Sequence, residues 1–139
     1  MLVEEVMTKN VITIDRDKTI YDACKMYKDY KVGCLIVTDN GKCVGIVTER
    51  DLIERTVCLR RDPEKIRVND IMSSNIKTIH PLDTIEKTLE IMKKNNIKKL
   101  PAVSKGDIVG IITITDISKA RSDLSNRFIE SWVKPRWND

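Results

Sequence analysis

Laid on itself with an offset of 65 residues, the chain aligns without a gap. Met7 falls on Met72, Asn10 on Asn75, Thr13 on Thr78, Ile14 on Ile79, Thr19 on Thr84, Ile20 on Ile85, Lys28 on Lys93 and Leu35 on Leu100. The match continues as Gly41 on Gly106, Val44 on Val109, Gly45 on Gly110, Ile46 on Ile111, Thr48 on Thr113 and Asp51 on Asp116. Two unrelated apolar segments would share an occasional Ile or Val, but rarely Gly, Thr, Asp and Asn in register. The chain is a duplication, and whatever one copy folds into, the other should fold into as well.

Each element can therefore be read twice. The β-branched run Val11 to Ile14 and its copy Asn75 to Ile79 predict short strands. Thr19 with Asp22 three residues on resembles a capping box, and Ile20, Ala23, Cys24 and Tyr27 follow at helical spacing, as Ile85, Leu89 and Met92 do in the second copy. The apolar runs Cys34 to Val37 and Leu100 to Val103 lead into turns at Asp39-Asn40-Gly41 and Ser104-Lys105-Gly106, then into Val44 to Val47 and Val109 to Ile112, which predicts hairpins. A second helix should begin near Asp51 and Asp116. The unit is βαββα, and the fold class α/β of the α+β kind.

A small sheet with one apolar face does not stand alone in water, so the two units should bury those faces together in one pseudo-symmetric domain. The 139 residues allow one compact domain or a fused pair of small ones. The first repeat spans 1–60, a polar linker with Pro63 spans 61–67, the second repeat spans 68–120 and a tail spans 121–139. The tail holds Trp132, Trp137 and Phe128, with Phe128, Ile129, Trp132 and Val133 on one face of an expected helix. That face either caps the domain's own core or packs against a second chain.

Several function classes are excluded or weakened. With 41% hydrophobic and 33% charged residues the chain is too apolar to be disordered throughout. No apolar run approaches the roughly 20 residues of a membrane span, and the N-terminus lacks the order of a signal peptide, so a cytoplasmic location is expected and membrane association is not. Cys24, Cys34, Cys43 and Cys58 form no C-x-x-C pair and read as core thiols; no metal site is expected. The only histidine, His80, precedes Pro81 and reads as a turn residue with no nucleophile beside it. No catalytic residues are assigned, and the chain is not read as an enzyme.

The chemistry-bearing feature is Gly45-Ile46-Val47-Thr48-Glu49-Arg50-Asp51, repeated as Gly110-Ile111-Ile112-Thr113-Ile114-Thr115-Asp116. A strand ends near Thr and a helix begins near Asp, so backbone N–H groups, a hydroxyl and a carboxylate converge. Such a place suits a nucleotide: phosphate for the N–H groups and the hydroxyl, ribose hydroxyls for the carboxylate. Thr and Asp are also ordinary helix caps. Their recurrence in register, with the Gly, favours a site.

Taken with the openings Val6-Met7-Thr8 and Ile71-Met72-Ser73, these motifs resemble the cystathionine β-synthase (CBS) domain family over residues 1 to about 120 in both copies. A tandem pair of such domains is a Bateman module. The resemblance implies two repeats packed through their sheets about a pseudo-twofold axis, with two clefts that take adenosyl ligands: AMP, ADP, ATP or S-adenosylmethionine. It also implies which residues serve. One cleft would use Thr48, Arg50 and Asp51 with Asn75, Ile76, Lys77, Ile97, Lys98 and Lys99. There Asp51 would hold the ribose and Thr48 the phosphate, with Ile76 and Ile97 flanking the adenine and Arg50, Lys98 and Lys99 offsetting phosphate charge. The other would use Thr113, Thr115 and Asp116 with Asn10, Val11, Ile12, Lys18, Val32, Gly33 and Cys34. The cleft with Lys98 and Lys99 should prefer the more highly phosphorylated ligand. The chain departs from the usual pattern at Ile36, where many members, like the second copy at Pro101, carry Pro; the second copy's strand geometry is then the better guide.

The implied function is a standalone regulatory module that senses an adenosyl nucleotide and passes the change on, as a homodimer or to a separate regulated protein. Two other classes compete. A nucleic-acid-binding regulator is suggested by the net charge of +4 and the pairs Arg60-Arg61, Lys93-Lys94 and Lys98-Lys99, but no recognition helix is apparent. A ligand-free interaction scaffold would use the aromatic tail instead.

Overall fold

The computed structural model describes residues 1–123; the aromatic tail residues Phe128, Trp132 and Trp137 lie outside them. The elements run α1 (Val3–Val6), β1 (Thr13–Asp15), α2 (Ile20–Tyr30), β2 (Cys34–Asp39), β3 (Lys42–Thr48) and α3 (Glu49–Leu52), which continues as a π-helical turn over Ile53–Val57. They repeat as α4 (Val68–Ile71), α5 (Ile85–Asn95), β4 (Lys99–Ser104), β5 (Asp107–Thr113) and α6 (Ile114–Ala120). This is the α+β class that the duplicated βαββα pattern predicts, with the opening helices α1 and α4 in addition.

Local chemistry sets the element ends. Thr19 Oγ accepts from Asp22 N at 3.1 Å while Thr19 N donates to Asp22 Oδ2 at 3.3 Å, the reciprocal cap that starts α2. Thr84 Oγ accepts from Lys87 N at 3.1 Å to start α5. Ile20 and Ala23 turn inward, and so do Ile85, Leu89 and Met92. Both hairpin turns hold two successive residues in the left-handed region: Asn40 at φ 50° with Gly41 at 81°, and Lys105 at 54° with Gly106 at 83°. That pair of angles is the turn whose twist matches an antiparallel hairpin, and Asn-Gly suits it better than Lys-Gly.

Two compact units result among the described residues: Asn10–Ile76 with Lys105–Ile108, and Met1–Lys9 with Lys77–Ser104 and residues 109–123. They differ from the sequence repeats because each takes its opening segment from the other copy. In the first, Val68, Ile71 and Met72 pack with Ile14, Ile20, Leu35, Val37, Val47 and Leu52. In the second, Val3, Val6 and Met7 pack with Ile79, Ile85, Leu100, Ala102, Ile112 and Ile117. The backbone pairings obey the same offset: Ile46 and Ser73 exchange N–H···O bonds of 3.0 and 2.9 Å, and Ile111 and Thr8 exchange two of 2.9 Å.

Within the first unit the strands lie in the order β1-β2-β3, with β1 parallel and β3 antiparallel to β2. Within the second, β4 and β5 are neighbours, and the equivalent of β1 shrinks to one parallel bridge, Ile79↔Ala102. The cause is the difference expected to favour the second copy. Ile36 N donates to Ile12 O at 3.3 Å and helps extend β1. Pro101 stands at the matching position without an N–H, so the strand cannot extend there. The first copy has the more regular strand.

The cysteines are not core thiols. Cys24 is exposed because Ile20 and Ala23 already fill the inward stripe of α2; Cys58 is exposed as well, and Cys34 and Cys43 are half-buried. His80 is a turn residue as expected: its Nδ1 accepts from Leu82 N at 3.1 Å, and its own N donates to Asp83 Oδ2 at 3.0 Å.

The caps carry an acid-sensitivity. The backbone N–H of Thr19 on Asp22, and that of His80 on Asp83, hold both carboxyls below their ordinary 3.8. A carboxyl depressed in the folded state adds stability above its unfolded value, and that stability is lost as pH falls through its folded value. The melting temperature should therefore drop as pH is lowered below about 4, and Asp22→Asn should flatten that drop. Calorimetric scans from pH 7 to pH 3 measure both.

Candidate functional site

Because β1 runs parallel to β2, both strands start at the same end of their sheet, and antiparallel β3 finishes there. Cys34, first in β2, pairs with Thr48, last in β3, and Glu49 N donates to Gly33 O at 3.4 Å. Ile12 reaches the same end through its bond to Ile36. The topology thus gathers Asn10, Val11, Ile12, Val32, Gly33, Cys34, Thr48, Arg50 and Asp51 at one end of the first unit. The second repeats it: Ile114 N donates to Lys98 O at 2.9 Å, gathering Lys77, Ile97, Lys98, Lys99, Thr113, Thr115 and Asp116. Asn75 and Ile76 belong to the first unit's compact body.

Hydrogen bonds inside each unit join the motif to its own repeat's strands, since a hairpin returns the chain to where its first strand began. Lys18 lies apart from the first unit's set. It follows the far end of β1, its N–H bonded to Asp15 O, and lines an open groove of about 480 Å³ with Thr13, Asp22, Lys25, Met26 and Tyr30.

At the motif, Thr48 N donates to Asp51 Oδ2 at 3.0 Å and Asp51 N to Thr48 Oγ at 3.2 Å. Thr113 and Asp116 repeat this at 3.0 and 3.1 Å. Capping is therefore real, and it uses one oxygen of each carboxylate and one lone pair of each hydroxyl. Asp51 Oδ1 stays outside the cap, with Arg55 Nε 3.9 Å away, and Thr48 keeps its hydroxyl proton to donate. The pair can hold itself in place and still accept from a diol or donate to a phosphate.

The motif glycines serve something else. A Cβ on Gly45 would stand 2.7 Å from Met72 Sδ and 2.8 Å from the Ser73 carbonyl oxygen, and one on Gly110 would meet Met7 and the Thr8 carbonyl oxygen at 3.0 Å. Glycine is required there for the close approach of the crossing segment, a packing role and not a ligand contact.

Two neighbours escaped the sequence reading. Arg55 Nε lies 3.9 Å from Asp51 Oδ1, with Nη1 bonded to Ile71 O at 2.7 Å; four residues past the motif Asp is the spacing that could have revealed it, and the second copy has Ala120 there. Tyr27, on the apolar face of α2 where the second copy has Met92, donates its hydroxyl to Val47 O at 2.5 Å. Burial, then the nearby Cys34, Asp51 and Glu49, push its pKa well above the usual phenol range, so the hydroxyl keeps its proton and remains a donor. Arg50 is paired to Glu54 at 2.8 Å. Among the described residues no three His, Cys, Asp or Glu side chains cluster as metal ligands, and no helix is long and apolar enough to cross a membrane.

Known proteins share this arrangement. The sequence model of the CBS domain matches residues 3–57 and again 68–123. An uncharacterised Methanocaldococcus jannaschii protein, MJ0450, is 33% identical over 119 residues, which cover 84% of this chain and 64% of that protein. The CBS domain-containing protein YhcV of Bacillus subtilis is 30% identical over 116 residues, 84% of this chain and 82% of YhcV. The chain thus spans just under two thirds of the archaeal relative and most of the bacterial one. A solved hexameric CBS-CP12 protein from bloom-forming cyanobacteria superimposes with a TM-score of 0.77 at 31% identity, over 94% of this chain and 79% of that one. CBS-domain pairs are in general regulatory modules that bind adenosyl ligands. With both copies matched in order, and with the duplicated α+β units and paired strand-end motifs described above, this chain belongs to the CBS domain family.

Proposed function

We propose that the chain is a regulatory module that binds an adenosyl compound, AMP, ADP, ATP or S-adenosylmethionine, at its two Thr-x-x-Asp motifs in the cytoplasm. The observation that carries this reading is the duplicated cap in which each Asp spends one carboxylate oxygen on the backbone and keeps the other. Asp51 and Asp116 accept from the ribose diol, Thr48 and Thr113 donate to phosphate, and the apolar strand starts at Val11, Val32, Ile76 and Ile97 border the adenine. Asn10, Ile12, Gly33, Cys34, Arg50, Asn75, Lys77, Lys98, Lys99 and Thr115 supply the polar and apolar groups around the two motifs, and Lys18 lies at the far end of β1.

Occupancy acts by favouring one of two arrangements, and it can do so only to the extent that the ligand binds them unequally. The receiver is a second copy of the chain or a separate regulated protein. Exposed Ile53, Val57 and Leu59 beside the first motif support self-association, as does the hexameric state described for the cyanobacterial relative.

Isothermal titration calorimetry with AMP, ATP and S-adenosylmethionine is the direct test. Saturable binding of at least one is expected, and heat from none of the three at millimolar ligand rejects the reading. Binding of RNA or DNA that collapses as salt rises, with no nucleotide binding, would favour a nucleic-acid regulator instead.

A further inference from the structure

The open groove of about 480 Å³ lies between β1 and α2, with Thr13, Ile14 and Asp15 on one wall and Met26, Asp29 and Tyr30 on the other. Strand β1 is the edge of its sheet. The parallel register sets Thr13 opposite Ile36 and Asp15 opposite Thr38, and the bonds to β2 run through the alternate residues: Ile36 N donates to Ile12 O at 3.3 Å and Arg16 N to Thr38 O at 2.9 Å. The Thr13 N–H and C=O and the Asp15 N–H therefore point away from β2, along the open edge that borders the groove. The second copy lacks this edge. Pro101 reduces its first strand to the Ile79↔Ala102 bridge, and His80, Lys94 and Asn95 stand where the groove has Asp15, Asp29 and Tyr30.

Charge and pleat set what fits there. Asp22 and Lys25 pair at 3.6 Å, and the Lys25 ammonium lies 4.9 Å over the Tyr21 ring. Asp15 and Asp29 are exposed and in no ion pair among the described residues, and Lys18 is the remaining cation of the lining, so the groove is net negative. Ile14 turns inward with Ile20 and Ala23, so Thr13 and Asp15 present their side chains on the opposite face. A strand laid beside β1 alternates in the same way, one set of side chains against Met26 and Tyr30 and the other beside Asp15. From Asp22 to Tyr30 the helical wall is about 12 Å long, room for about four extended residues. The same edge of a second copy is a poor occupant, because it brings Asp15 against its own like.

We propose that this groove docks an extended segment of a partner protein, about four residues alternating apolar and basic, which adds to the sheet beside β1. Main-chain bonds to Thr13 and Asp15 hold the segment, and its basic side chains meet the Asp15 carboxylate. The surface is separate from the Thr-x-x-Asp motifs and does not depend on nucleotide binding there.

Fluorescence anisotropy on the full chain in low salt tests it, with a fluorescein-labelled six-residue peptide of alternating valine and arginine. Saturable binding is expected, about fivefold tighter than that of the matching valine-glutamate peptide. The chain as a whole carries a net charge of +4, so a preference for the basic peptide has to come from the groove. Asp15→Lys should reverse the preference. Thr13→Pro removes an N–H that β2 does not use, so the sheet should persist while the peptide binds about tenfold more weakly. Should Thr13→Pro fail to fold, Asp15→Lys decides alone. The proposal is overturned if the valine-arginine peptide does not saturate at millimolar concentration, if Asp15→Lys leaves the preference unchanged, or if a folded Thr13→Pro binds as tightly as before. Self-association that Thr13→Pro abolishes, followed by sedimentation velocity, would assign the edge to a second copy and overturn it as well.

Discussion

Gly110→Ala is expected to lower the stability of its unit by about 2 kcal/mol, and Gly45→Ala to do the same in the other. The sign is what tests the packing. In an open strand, alanine for glycine stabilises by roughly 0.4–1 kcal/mol, because the unfolded chain loses freedom. Here the new methyl meets Met72 Sδ at 2.7 Å and the Ser73 carbonyl oxygen at 2.8 Å, or Met7 and the Thr8 carbonyl oxygen at 3.0 Å. The sulfur belongs to a flexible side chain and can withdraw. The carbonyl cannot, because Ser73 and Ile46 exchange hydrogen bonds, as do Thr8 and Ile111. Adding Met72→Ala to Gly45→Ala should therefore remove the sulfur clash but not the carbonyl one, so it should leave the variant well below the stability of Met72→Ala alone. Urea unfolding followed by circular dichroism measures each step. A rise in midpoint for both single variants would mean that the opening segments do not approach the strands this closely.

The second large effect separates cap from ligand grip. Asp51→Asn and Asp116→Asn preserve a side-chain oxygen for Thr48 N and Thr113 N, so the helix starts should persist and stability should change by less than about 1 kcal/mol. The charge that strengthens a bond from a ribose hydroxyl is gone, and adenosyl-ligand affinity should fall roughly tenfold to a hundredfold at the altered site. Alanine at either position should cost both. Thermal melts paired with calorimetry read the two consequences separately, and unchanged affinity in the double Asn variant would leave these carboxylates as caps and nothing more.

Much of this was legible because duplication supplies two readings of every element. The helices from Ile20 and Ile85, the hairpins around Asn40-Gly41 and Lys105-Gly106, and the caps at Thr19, Thr48 and Thr113 depend on residues within a few positions of one another, and local chemistry fixes them. Other features were not legible for the same reason. Lys18 looks like a neighbour of Asn10 to Ile12 until the three-residue length of β1 puts it beyond the strand's other end. Arg55 and Tyr27 matter only once Asp51 and Val47 have positions in space.

What the sequence determined by itself is the repeat, its βαββα plan, the family, and the residue types at both strand-end motifs. Tertiary structure alone decided which copy's opening segment lies on which sheet and why position 45 or 110 must lack a side chain. The physical reason is range. Caps and turns are closed by hydrogen bonds over three or four residues, whereas the Ile46–Ser73 and Ile111–Thr8 pairs span long stretches of chain and leave only a glycine and a methionine as their trace.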